Sequence, residues 1–200
     1  MFLLVILLLF VLLVSALYPK YIHHVFCIAV LWPVLLYTLV FFIEWGQLDL
    51  VLMVFYAGAG FIFGGVWFFT GAFLLSENPH EHIKRSLKGL HATVRVSLIE
   101  IAYQSALAGC KELIWRVFLL SVLTQLLPVW LCIVIAAVLF WLLHEESLPL
   151  SDQSIEIFQF SLALTMMYAY TGSLVLVWCA HVVRVILTMS GSSLMPKQNP

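Results

Sequence analysis

Five side chains in the second half of the sequence have types and spacing suited to chemistry. The stretch "KELIWR", residues 111–116, sets Lys111, Glu112 and Arg116 at the entrance to an apolar run. Glu112 and Arg116 are four residues apart and therefore share one face of a helix. "FWLLH" (140–144) closes on His144, four residues after Phe140, and "HVVRV" (181–185) sets His181 three residues before Arg184. A carboxylate and an imidazole that share a water form a general-base pair. A second imidazole can donate to the oxyanion that develops on an attacked carbonyl. Converging in one polar pocket, these groups would hydrolyse an amide. Each also has a plain structural explanation: an ion pair along one helix, a histidine at a helix end, and a polar side chain bonding between helices.

The elements that must position these residues are apolar almost throughout. Of 200 residues, 64% are hydrophobic and 10% are charged, with a mean hydropathy of +1.11. Soluble domains carry about 25% charged residues, so this composition points to a multi-pass integral membrane protein, in the cell membrane if bacterial. Ionisable residues at membrane depth are expensive and default to functional candidates. The formal net charge of −1 offers no basic stripe to neutralise phosphates, which excludes nucleic acid as a partner.

Charge and proline divide the chain into successive apolar stretches. Residues 2–17 form the first and lack a basic leader, the first cation being Lys20. They read as a retained membrane helix, with a cleaved signal peptide as the alternative. Residues 22–43 form a second stretch, which Pro33 kinks. Residues 48–75 form a third, where Gly60 and Gly64 make a GxxxG. Small residues at that spacing let helices approach closely in lipid, so the expectation is a packing face rather than a substrate groove. The polar segment 76–95 carries Lys84, Arg85, Lys88 and Arg95 and reads as a cytoplasmic basic loop. Residues 96–127 read as helical up to a turn at Pro128, although one kinked helix or two shorter ones fit 96–143 equally well. A continuous apolar helix over 129–143, an acidic loop with Glu145, Glu146 and Asp152, and helices over 155–170 and 174–189 broken at "TGS" complete the chain. The expected fold is all-α, a polytopic transmembrane bundle of about seven or eight helices. Its division is 1–95 for the N-terminal membrane helices and basic loop, 96–190 for the core, both packed as one membrane domain, and 191–200 for a polar tail.

Cys27, Cys110, Cys132 and Cys179 lie in or beside apolar runs with no CxxC among them, so they read as buried structural thiols. "HEH" at 80–82 and the pair His23–His24 supply too few converging ligands for a metal, and no HExxH occurs. No metal and no cofactor is expected.

The order and flanks of the three motifs resemble the CAAX-protease and bacteriocin-processing family (CPBP, also called Abi) of intramembrane glutamic proteases. That family carries EExxxR, FxxxH and HxxxN in this order. "KELIWR", "FWLLH" and "HVVRV" stand in those places, and "RVFLLSVL", "AAVLFWLLH" and "YAYTGSLVLVWCAH" agree as flanks. The resemblance spans roughly residues 96–190. It implies a membrane-embedded endopeptidase acting on a membrane-associated peptide or protein at or in the bilayer. It also implies that the first glutamate and the His of FxxxH activate the attacking water, while the His and Asn of HxxxN stabilise the oxyanion.

Two positions depart from that pattern. The first glutamate is Lys111 here, and the asparagine is Val185. Glu112, Arg116, Phe140, His144 and His181 carry over, with Glu112, His144 and His181 as the catalytic candidates. Neighbouring helical residues point about 100° apart, so Glu112 cannot simply stand in for position 111. A lysine acts as a base only as the neutral amine. Losing one oxyanion donor removes about 2.7–4 kcal/mol of transition-state stabilisation. The stretch 111–116 is therefore either a rewired protease site or the remnant of one, kept because Glu112 and Arg116 tie helices together. The function follows the same division: a CAAX-type endopeptidase of weakened activity, or a pseudoprotease that binds a membrane peptide or partner without cutting it. A transporter or channel subunit is the weakest reading, because paired discontinuous half-helices are missing. Glu112, His144 and His181 are expected to approach one another, with Lys111 and Val185 at the edges of the same pocket.

Charge asymmetry also fixes an expected orientation. Four basic residues in 76–95, against none in 44–49, put the former in the cytoplasm and the latter on the opposite side. A single cysteine introduced at Gln47 should react with an impermeant thiol reagent only from the non-cytoplasmic side, and labelling from the cytoplasm would refute the orientation.

Overall fold

A computed structural model describes residues 2–21, 24–43, 49–76, 78–96, 98–142 and 152–192. The class is all-α, as the composition and the apolar periodicities require. Helix α1 (Phe2–Tyr21) is followed by α2 (His24–Val30) and α3 (Trp32–Phe41). Pro33 lies in the first turn of α3, where its missing N–H does least harm. Hydrogen bonds from Leu31 N to Cys27 O at 3.0 Å and from Leu35 N to Leu31 O at 3.1 Å carry the chain through the bend, so α2 and α3 form one kinked rod.

Asp49 opens α4 (Leu50–Leu75) by accepting the Val51 N–H at 2.8 Å, which satisfies a donor that has no partner within the helix. At about 1.5 Å per residue this helix of 26 residues exceeds the roughly 30 Å of a hydrocarbon core, and it is long and apolar enough to cross a membrane. Leu50, Val51, Val54, Phe55, Ile62 and Phe73 are exposed along its outer side, which suits lipid contact. The shorter apolar helices run over Leu3–Ser15, Trp32–Phe41, Val129–Leu142 and Leu174–Ser190.

The basic segment departs from expectation. Most of it is not a loop but helix α5 (Pro79–Val96). Pro79 is preset for a first helical turn, Glu81 complements the positive end of the helix, and the Asn78 carbonyl accepts the His82 N–H at 3.0 Å. Ser86 and Gly89 are buried on the side facing α10, while Lys84, Arg85 and Lys88 are exposed. Polarity alone suggested a loop, but one small-residue face was enough to dock a helix.

Within the ambiguous region 96–143, the described residues 98–142 form two rods that meet near Pro128. The first is α6 (Leu98–Glu112), a π-helical turn (Leu113–Phe118) and α7 (Leu119–Leu123), and the second is α8 (Val129–Leu142). Helix α9 (Asp152–Thr171) ends at Gly172, whose φ of 64° is comfortable only without a side chain. Ser173 Oγ then accepts the Leu176 N–H at 3.3 Å and starts α10 (Leu174–Ser192). With α2 and α3 counted as one rod, and α6, the π turn and α7 as another, the described residues form eight rods.

Two apolar clusters fill the interior. One joins α1, α2, α3, the π turn, α7 and α8 through residues such as Val11, Leu31, Trp115, Phe118 and Cys132. Within it, Trp115 Nε1 donates to Ser15 Oγ at 2.9 Å, so the indole N–H is buried but satisfied. The other cluster joins α9 and α10 through Phe160, Leu164, Val177 and Ala180, with Phe63 and Trp67 of α4 packed against it. Helix α10 lies among α4, α5, α6 and α9.

The GxxxG of α4 is the packing face expected of it. A Cβ at Gly60 would run into the Leu176 carbonyl, and one at Gly64 into the Ala180 carbonyl, whereas Gly65 faces open space. Gly64→Leu should therefore force α4 off α10 at a cost of about 1–3 kcal/mol or more, read as a lower thermal unfolding midpoint in detergent, while Gly65→Leu should leave that midpoint nearly unchanged.

Candidate active site

Glu112 ends α6 as a fully buried residue, and Arg116, one turn on in the π turn, is equally buried. The π turn widens the helix at the point where a bulky cation must fold back toward a carboxylate, and such segments recur at functional sites. Arg116 Nη1 lies 2.6 Å from Glu112 Oε2. The two groups form a fully buried ion pair. Stacking supplements the Coulomb attraction: the guanidinium carbon sits 4.1 Å from the centre of the Phe140 ring of α8.

The other carboxylate oxygen faces α10. His181 Nδ1 is 2.5 Å from Glu112 Oε1. An ionised carboxylate can only accept, and with Glu112 in that form Nδ1 is the donor of the contact. Two aromatic rings meet the imidazole edge-on and hold its plane, Phe140 at 5.6 Å and Phe160 of α9 at 6.3 Å between centroids. Just below, Trp178 packs on Gly109 and donates from Nε1 to the Ser105 carbonyl at 2.8 Å. Gly109 leaves room for the indole, and this interlock sets the register in which Glu112 meets His181.

The sequence candidates are thus distributed unevenly. Glu112, Arg116, Phe140 and His181 come together. His144 lies outside the described residues. Lys111 is half-buried on α6, within Coulombic range of Glu112 and of Cys27 on α2. Val185 is partly buried one turn beyond His181.

Arg184, which the sequence sets beside His181, belongs to a second polar cluster. It pairs with Glu156 of α9, Nε to Oε1 at 3.1 Å and Nη2 to Oε2, and its guanidinium stacks 4.9 Å from the Phe160 ring. Trp67 of α4 donates from Nε1 to Glu156 Oε1 at 2.9 Å. Sequence reasoning passed over Glu156 and Trp67. The available signal was a carboxylate inside the apolar stretch 155–170, a position that calls for a cation on a neighbouring helix.

Residues 95–187 match the family model described as type II CAAX prenyl endopeptidase Rce1-like. That segment holds all three motifs, and the match supports membership of the CAAX-protease (CPBP) family. No curated protein and no solved structure matches it.

Arg116 is the cation that makes a buried Glu112 tolerable. Arg116→Met strands the carboxylate in an apolar interior and should cost about 3–5 kcal/mol. Glu112→Gln in the same chain should recover part of that loss, because residues in contact are non-additive. Thermal unfolding of the two single variants and the double variant in detergent checks both statements.

Proposed function

We propose that the protein is a multi-pass membrane endopeptidase that hydrolyses a peptide bond at or in the bilayer with weakened activity. On this reading 1–95 and 96–190 pack as one membrane domain, the substrate is a membrane-associated peptide, and Glu112, His144 and His181 form the site. The observation that carries it is the buried contact of Glu112 with both Arg116 and His181, inside the segment that matches the peptidase family. Lys111 and Val185, in the places of a base and an oxyanion donor, are the reason for the weakening.

A second reading, a pseudoprotease that binds a membrane peptide without cutting it, draws on one specific observation. Glu112 is fully buried with a partner on each oxygen, which suits a structural anchor as well as a catalytic one.

A cleavage assay on purified, reconstituted protein with a fluorogenic prenylated CAAX peptide separates the two. The wild type should be a poor peptidase. Lys111→Glu together with Val185→Asn should raise its rate, since general-base catalysis contributes about 10²–10⁴-fold and a restored oxyanion donor adds to it. If Lys111 already serves as the base, Lys111→Glu lowers turnover instead. Binding of the peptide with no cleavage by wild type or double variant would favour the pseudoprotease. Efficient wild-type cleavage that His144→Ala leaves untouched would defeat this assignment of roles.

A further inference from the structure

Four of the chain's nine Lys and Arg residues fall within 84–95. Lys84, Arg85 and Lys88, three and four residues apart, share one arc of α5. All three are exposed, whereas Ser86 and Gly89 on the other side are buried, and a Cβ at Gly89 would run into the Ser190 carbonyl of α10. Glu81 lies 3.6 Å from Lys84, an exposed pair of little strength. Among the described residues no carboxylate pairs with Arg85 or Lys88. The place of this arc is set by packing. Gly60 meets Leu176 and Gly64 meets Ala180, so α4 and α10 run in the same direction and end together. The His82 ring lies 5.9 Å from that of Phe68, about two turns before the end of α4, and Ser190 lies in the last turn of α10. Helix α5 is thus held against the end of the bundle where the apolar run of α4 finishes, with Phe73, Leu74 and Leu75 exposed. Leu87 is exposed beside the cations. A cationic arc flanked by an apolar side chain, next to the last turns of a membrane-length helix, suits a helix that lies in the headgroup layer.

We propose that the arc of Lys84, Arg85 and Lys88 on α5 is a binding surface for the anionic phospholipid headgroups of the bilayer that holds the protein. The inference rests on the multi-pass membrane reading above, and neither on hydrolysis nor on which leaflet α5 meets. A zwitterionic headgroup carries its own amine and offers the arc no net charge. An anionic one leaves its phosphate uncompensated. The Arg85 guanidinium can present two donors to one phosphate, while the lysines reach the headgroups as point charges on flexible stems. Each such cation is worth about fivefold in affinity for an anionic surface. The site also bears on the fold. Ser86 and Gly89 clamp α5 to α10, so lipid that binds the docked helix stabilises the native packing by mass action.

The test compares full-length protein in nanodiscs of phosphatidylcholine alone with protein in nanodiscs that also contain phosphatidylglycerol. The wild type should unfold at a higher temperature in the anionic nanodiscs. Native mass spectrometry after extraction should find phosphatidylglycerol enriched on it over phosphatidylcholine. Arg85→Gln with Lys88→Gln should lower that enrichment about fivefold for each charge removed and erase most of the thermal difference. The same double variant should keep the wild-type midpoint in phosphatidylcholine, because both side chains are exposed. Arg85→Lys with Lys88→Arg keeps both charges and should keep the enrichment, and high salt should weaken it. Equal midpoints in the two nanodiscs without enrichment, or full enrichment on the Gln variant, overturns the proposal. An equal thermal rise from inorganic phosphate, in phosphatidylcholine alone, shows a soluble-anion site and overturns the lipid assignment. If alkaline carbonate strips the protein from vesicles of either composition, the membrane reading falls and takes this inference with it.

Discussion

A carboxylate in an apolar interior is the constraint around which the rest of this fold is arranged. Left alone, Glu112 would be among the most unfavourable groups in the molecule, because removing an ion from water outweighs most of what packing returns. Two partners make it tolerable. Arg116 comes from one turn further along the same rod, and His181 from a helix near the far end of the chain. The first partner requires the helix to accommodate a folded-back guanidinium, which the π turn and the face of Phe140 provide. The second requires α10 to lie against α6 at one particular height.

Several features hold that height. Gly60 and Gly64 let α4 approach the backbone of α10 at Leu176 and Ala180, Gly89 does the same for α5 at Ser190, and Gly109 of α6 receives Trp178 of α10. The Glu156–Arg184 pair, with Trp67 bonded to it, ties α9 and α4 to α10. Small residues and a few strong polar contacts do this well in lipid, where burying apolar surface gives little preference for one helix neighbour over another. The N-terminal helices thereby bear on the position of His181, although the family match begins only at residue 95.

The same arrangement bears on chemistry. A carboxylate engaged on both oxygens is well placed to orient the imidazole it meets. Arg116, Glu112 and His181 form a chain of contacts in which each side chain is held by its neighbour.

Much of this was legible in the sequence, for reasons that are local. Membrane residence follows from composition, and helical class from apolar runs that only hydrogen-bonded helices can carry through lipid. The break at "TGS" follows from glycine and serine, and the Glu112–Arg116 contact from four-residue spacing on one helix. Motif order also gave the family, because the residue types sit in the linear pattern itself. What only the tertiary structure decided is non-local. The sequence set Arg184 beside His181, yet residues three apart on a helix diverge by about 60° around its axis, and the structure sends Arg184 to Glu156 instead. It read 76–95 as a loop, because whether a polar segment becomes a helix depends on a neighbour such as α10 for its small-residue face to dock against. From motif order it expected Glu112 to approach His144 and His181, but it gave no contact between particular atoms. No spacing rule connects residue 112 to residue 181, and only the packing of α6 on α10 does.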